Sequence, residues 1–279
     1  MAKILFVVTG VDHWTLADGT KHPSGYRAEE AVAPYEVLKG AGHEIAAATP
    51  GGVVPTVDKV SLTPARNGGQ EGADRIARTL AAMTEFQHPV KLEDVDLADF
   101  DALFYPGGHG PMEDLAVNQD SGKLLTAALA AGKPLAIVCH GPAALLAAQN
   151  ADGTSPLAGY RLTGFTNIEE QQAGFADRAK WLLQDRLAEL GTDVQEGEPW
   201  APFAVVDRTL LTGQNPASSA PLAAELLKLL GLRVATDRLT EVLDATYDCL
   251  IRYGVRRTTI DRSVAAHRGA HGRELPAVR

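Results

Sequence analysis

Short apolar runs alternate along this chain with longer segments in which apolar positions recur three and four residues apart. Ile4–Val8, Glu44–Ala48, Ala102–Tyr105 and Pro134–Val138 read as strands, the last of them short, apolar and β-branched enough to be buried in a parallel sheet. Helical spacing falls on Ala28–Ala41, closed by Gly42, and on the segments 71–86, 121–132 and 176–191. A further helix is expected to open at Gly141 and Pro142, a hairpin at 203–213 and a closing helix at Ala217–Leu230, while 51–69 has the glycines and prolines of a loop. Strands alternating with helices predict an α/β fold, a parallel sheet with helices on both faces. Beyond Gly231 the pattern changes. Leu239, Val242, Leu243, Leu250 and Ile251 predict an amphipathic helix within 236–253, and the arginine-bearing stretch from 255 to 279 has no apolar period and is expected to be flexible. The chain divides accordingly into 1–231, a helical extension at 232–254 and a tail at 255–279.

Composition narrows the class of function. A formal net charge of -9 over 279 residues argues against a general nucleic-acid binder, which needs a basic surface. No apolar stretch approaches the ~20 residues of a membrane span, and the amino-terminal run lacks a cleavage pattern, so it reads as a strand and not a signal peptide. The two cysteines, Cys139 and Cys249, are far apart and in unlike contexts, which suits a reducing cytosol better than a disulfide framework.

Candidate chemistry gathers at strand exits. In "PLAIVCHGPAALL" the strand ends at Val138 and the helix signal begins at Gly141, so Cys139 falls on the sharp turn between them, the position of a nucleophile elbow. A thiol beside backbone N–H groups at a helix start is expected to ionise more readily than a free one. A second strand runs into "YPGGHG", where Gly107 and Gly108 allow close backbone approach; the amides of Gly108 and His140 together would form an oxyanion hole. Of the eight histidines none lies between His140 and the tail, so His140 is the economical base. Two acidic pairs, Glu29–Glu30 and Glu169–Glu170, offer a carboxylate near the thiol, and spacing alone does not choose within either pair. No CxxC, HExxH or closely spaced His/Asp cluster is present, so no metal site is expected.

Taken together, "AIVCHGPAALL", "LFYPGGHGPMEDL", "GYRAEEAVAPYEVLKGAGHEIAAATPGG", "LTGFTNIEE" and "LLTGQNPASS" resemble the ThiJ/PfpI superfamily, in particular its branch of heat-shock-chaperone-like, glutathione-independent glyoxalases. The resemblance runs through 1–231 and implies a flavodoxin-like, class I amidotransferase-like sandwich, usually dimeric. It implies Cys139 as nucleophile and His140 as its neighbour in a triad. Counting from Pro34 and Gly42 places the family's glutamate on Glu30, and counting from the glycine of "TGFT" places the acidic third member on Glu170. The activity implied is conversion of methylglyoxal, or a related α-oxoaldehyde, and water to a 2-hydroxy acid without cofactor. Holding-chaperone or deglycase action and thiol peptidase or amidase action are the alternatives. The extension beyond 231 is not covered by the resemblance.

Overall fold

The computed structural model describes residues 1–231; the expected extension helix, the tail and Cys249 lie outside them. In chain order the elements are β1 (Lys3–Val7), the hairpin β2 (His13–Thr15) and β3 (Lys21–Pro23), α1 (Ala28–Gly40), β4 (Glu44–Thr49), α2 (Gln70–Ala82), α3 (Thr84–Gln87), β5 (Val90–Lys91), β6 (Ala102–Tyr105), α4 (Gly110–Glu113), α5 (Gln119–Ala130), β7 (Leu135–Val138), β8 (Arg161–Leu162), α6 (Asn167–Gln172), α7 (Leu183–Glu189), β9 (Asp193–Val194), β10 (Ala204–Asp207) and β11 (Leu210–Gly213). A final helix starts at 219.

Seven strands form one sheet in the order β10-β11-β7-β6-β1-β4-β5, parallel throughout except for the β10–β11 hairpin at its edge. Every residue of β6, β7 and β11 is buried, and so are the last four of β1. Successive strand side chains point to opposite faces, so both faces are covered, which is why these strands read as continuous apolar runs. The fold is α/β, as the alternation predicts. β1 lies between β4 and β6, and the chain moves outward from β1 in one direction and then in the other. Loops leaving β1 and β6 diverge at that point, and the crevice between them is where open α/β sheets bind ligands. Among the described residues no helix is long and apolar enough to cross a membrane.

Four local features differ from the pattern. The segment after Cys139 is a 3-10 helix, Gly141–Ala147, not an α-helix. It is wedged against α5 so closely that a Cβ on Gly122 would sit 2.0 Å from the Ala147 carbonyl oxygen, and a short tight helix is the usual connector in such a space. The helical pattern at 176–191 is realised only over α7, and that at 71–86 breaks at Met83 into α2 and α3. Met83 is fully buried, so its packing overrides the continuity of the pattern. The loop after β1 contains the β2–β3 hairpin, whose three-residue strands are too short to show an alternating pattern.

Candidate active site

Three loops converge at the carboxyl ends of β6 and β7 and the start of α1. Cys139 follows β7 directly and has φ 61°, a left-handed conformation that a residue with a Cβ rarely adopts. Both of its peptide groups are pinned: its N–H donates to the Gly213 carbonyl at 2.9 Å, and its carbonyl accepts from Phe165 N–H at 2.9 Å. The surrounding sheet thus over-determines a strained backbone, as at functional turns elsewhere. The thiol is only 2% exposed at residue level but lines a cavity of about 220 Å³.

His140 Nδ1 lies 3.3 Å from Cys139 Sγ, and its Nε2 lies 2.6 Å from Glu170 Oε2. Glu170 can accept at Nε2 only if that nitrogen carries the proton, which leaves Nδ1 as an acceptor facing the thiol. Burial would raise the Glu170 carboxyl. The charge interaction with His140 whenever that ring is protonated, and hydrogen bonds from His109 and His140, outweigh it and hold Glu170 well below the usual carboxylate range. Its neighbour Glu169 is equally buried but has a structural task, closing a capping box with Thr166 and accepting from Trp200 N–H and Asn215 Nδ2. The Glu169–Glu170 alternative is thereby separated by geometry.

The other acidic pair separates in the same way. Glu29 points outward to Arg75 Nη2 at 3.1 Å, whereas Glu30 is fully buried and lies against the Cys139 thiol. Adjacent helix positions point about 100° apart, so one helix turn sends one carboxylate out and the other in. Gly107 N–H donates to Glu30 Oε2 at 2.8 Å, and Glu30 Oε1 is buried without a hydrogen-bond partner, 3.8 Å from Arg27 Nε. Desolvation pushes the Glu30 carboxyl up to about 7, despite Arg27. For Cys139 the expectation from sequence is reversed. Burial and the facing Glu30 carboxylate push the thiol above its ordinary value, and Arg27 opposes them without prevailing. The cause is desolvation, which sequence does not display.

Gly107 and Gly108 are required sterically. A Cβ on Gly107 would lie 2.7 Å from Glu30 Oε2, His140 N and Val138 O, and one on Gly108 would lie 2.4 Å from Gly25 O, with φ +93° besides. Among the described residues the Gly108 and His140 amides donate to no protein acceptor, and both residues line the cavity. Two unspent donors beside a thiol can stabilise an oxyanion.

His109 and Arg27 carry no role in the sequence reading, yet both line the cavity. His109 Nε2 is 3.1 Å from Glu170 Oε1, so the two oxygens of one carboxylate serve two imidazoles; its ring stacks on Trp14 at 4.4 Å. Its place directly after the two glycines in the loop that leaves β6 is the signal that marks it. Three separate segments bring one possible ligand atom each from His109, His140 and Glu170 within 4.8 Å, a grouping that spacing along the sequence does not display. Their present distances are those of hydrogen bonds, and a cation would have to displace the shared protons.

The model of the DJ-1/PfpI family matches residues 22–229. Glyoxalase 3 of Candida albicans is 30% identical over 234 residues, 81% of this chain and 98% of that protein. The crystal structure of glyoxalase III from the same organism superposes with a TM-score of 0.72 at 28% identity, over 81% of this chain and 96% of that one. A Staphylococcus aureus protein named protein/nucleic acid deglycase HchA is 27% identical over 233 residues, 79% of this chain and 77% of its own. With the family model covering well over half its length, and with the sheet order and strand-exit cysteine already described, this chain belongs to the DJ-1/PfpI family.

Proposed function

We propose that the protein is a glutathione-independent glyoxalase that converts methylglyoxal or a related α-oxoaldehyde and water to the 2-hydroxy acid. The observation that carries this reading is the buried Glu30 carboxyl against Cys139, raised to about 7, because isomerising an oxoaldehyde needs one group that takes a proton and returns it near neutrality. Glutathione is unnecessary in this scheme because Cys139 supplies the thiol.

Cys139 Sγ adds to the aldehyde carbon, and its proton passes to the Glu30 carboxylate. The resulting alkoxide accepts from the Gly108 and His140 amides and then takes that proton, giving a hemithioacetal. Glu30, ionised again, removes the proton from C1 to leave an enediolate and delivers it to C2, while the proton of the C1 hydroxyl passes to the C2 oxygen. The aldehyde carbon is thereby oxidised to a thioester while the ketone carbon is reduced to an alcohol. Water attacks the thioester, with His140 Nδ1 taking its proton and Glu170 holding the imidazole by Nε2. The thiol leaves with that proton, and the sum is oxoaldehyde plus water to hydroxy acid.

The relationship to a protein named as a deglycase supports a second reading, in which the thiol attacks an oxoaldehyde adduct already formed on a side chain or base. Incubation with methylglyoxal in the absence of glutathione, followed by chiral analysis of lactate, decides between them. One lactate enantiomer formed from free methylglyoxal at catalytic rates supports the glyoxalase. Lactate released only from preformed adducts supports the deglycase. Residues 1–231 are also proposed to work within a homodimer, as the family resemblance implies; sedimentation of the full chain tests this.

A further inference from the structure

Methylglyoxal is neutral, yet the cavity carries charged side chains on its wall. Two guanidinium groups, Arg27 and Arg66, line it together with Cys139, Gly108 and His140. Arg66 ends the 3-10 turn Pro64–Arg66, is exposed, and its side chain has no hydrogen-bond or ion-pair partner among the described residues. The Arg27 side chain is 19% exposed, its Nε is buried without a hydrogen-bond partner, and its nearest carboxylate is Glu30 at 3.8 Å. Arg75, close by, is not comparable, because Glu36 and Glu29 already take its charge.

Against these two cations stands one acid on the same wall, Asp58, whose Oδ1 accepts from Val60 N–H. His22 and His109 also line the cavity, and burial holds both below their ordinary pKa, so they add little positive charge at neutrality. Among the side chains that line it, two guanidinium groups thus face one carboxylate, in a chain whose overall charge is -9; Glu170 lies behind His109 and His140, which hold its charge, and Glu29 on the adjoining cleft is taken by Arg75. Arg27 and Arg66 also border an adjoining cleft of about 410 Å³, with Trp200 and Pro216 common to both spaces, so a substrate longer than three carbons has room to extend past them. Guanidinium is weakly hydrated and forked, which makes an unpaired one in a cavity a receptor for carboxylate or phosphate.

We propose that Arg27 and Arg66 form an anion subsite, and that the preferred substrate is an α-oxoaldehyde carrying a carboxylate or phosphate at the end away from the aldehyde. The subsite identifies the substrate class of the proposed glyoxalase and rests on that reading. The anionic group takes no part in the chemistry: the aldehyde carbon is oxidised, the ketone carbon reduced, one water is consumed, and the charge serves to anchor and orient. Proton uptake by Glu30 would remove the carboxylate charge 3.8 Å from Arg27 Nε, so substrate anion and Glu30 proton favour each other's binding.

The test does not depend on turnover. Alkylation of Cys139 by iodoacetate and by iodoacetamide is followed by mass spectrometry of the Cys139 peptide in the full chain, with a free thiol treated in parallel. Relative to that thiol, iodoacetate is expected to be favoured over iodoacetamide by about tenfold in the wild type, the lower end of what a charged cleft supplies. Arg66→Gln should remove most of this preference, and Arg66→Glu should reverse it. Slowing of both reagents by inorganic phosphate assigns the subsite to phosphoryl groups, and slowing by acetate alone assigns it to carboxylates. A wild-type preference equal to that of the free thiol, or one unchanged in both Arg66 variants, overturns the proposal. In a second arm, the ratio of kcat/KM for 3-phosphooxy-2-oxopropanal to that for methylglyoxal should exceed one and fall about tenfold in Arg66→Gln. If the alkylation preference holds while neither compound is turned over, the anion subsite stands and the glyoxalase reading fails.

Discussion

Glu30→Gln isolates the energetic cost of the group that the mechanism relies on. The carboxyl is fully buried, and its pKa moves from the ordinary 4.5 to about 7 through desolvation. The folded state therefore binds a proton that the unfolded state releases between those two values, and stability falls as pH rises through that window. Below 4.5 both states are protonated and the carboxyl costs nothing; above 7 both are ionised and the folded state bears the full cost. At ~1.4 kcal/mol per factor of ten that cost reaches about 3 kcal/mol, of which about 2.5 kcal/mol develops between pH 5 and pH 8. Glutamine keeps an oxygen for Gly107 N–H and cannot ionise. Any constant penalty from its amide nitrogen cancels when two pH values are compared. Urea unfolding of both proteins at pH 5, 6, 7 and 8 should show the variant gaining about 2 to 3 kcal/mol on the wild type across the series. A difference that stays constant with pH would show that Glu30 is solvated in the folded protein and that its proposed role lacks a physical basis.

Cys139→Ser should fold normally and lose turnover, measured as lactate release, since a hydroxyl in that place is a far weaker nucleophile than the thiol. Alkylation of wild-type Cys139 by iodoacetamide should keep accelerating through the alkaline range; a plateau near neutral pH would contradict the burial that pushes the thiol up. Gly107→Ala drives a methyl group to 2.7 Å from two backbone atoms and from Glu30 Oε2, so it should destabilise by about 1–3 kcal/mol in urea and lower kcat about 100-fold. His109→Phe preserves the stack on Trp14 but removes one donor from Glu170, whose carboxyl should rise; kcat is expected to fall about tenfold and the acidic limb of the pH profile to move to higher pH.

The sheet was legible because its central strands are buried on both faces and so leave unbroken apolar runs, as at Leu135–Val138 and Ala102–Tyr105. Cys139 was legible because an elbow needs a strand, one residue and a helix start in immediate succession. Other features depend on what folds back from elsewhere. The Glu29–Glu30 choice is made by Arg75, 46 residues from Glu29, and the Glu169–Glu170 choice by Trp200 and Asn215 on one side and by His109 and His140 on the other. Periodicity contains neither. The thiol's pKa is hidden from the sequence for the same reason: a helix start lowers it locally, but the dominant influence is burial beside a carboxyl that arrives from α1. His109 went without a role because its partner carboxylate lies 61 residues further along.

In the proposed reaction Cys139 captures the oxoaldehyde and Glu30 then moves the proton between its two carbons. Mass spectrometry of the wild type, Glu30→Gln and Glu29→Gln after brief exposure to methylglyoxal, with lactate release recorded alongside, separates those two steps. The expected result is a methylglyoxal adduct on Cys139 of Glu30→Gln with no lactate, and an outward-facing Glu29→Gln that retains most of its turnover. Lactate formation by Glu30→Gln at near the wild-type rate, or loss of activity in Glu29→Gln alone, would contradict it.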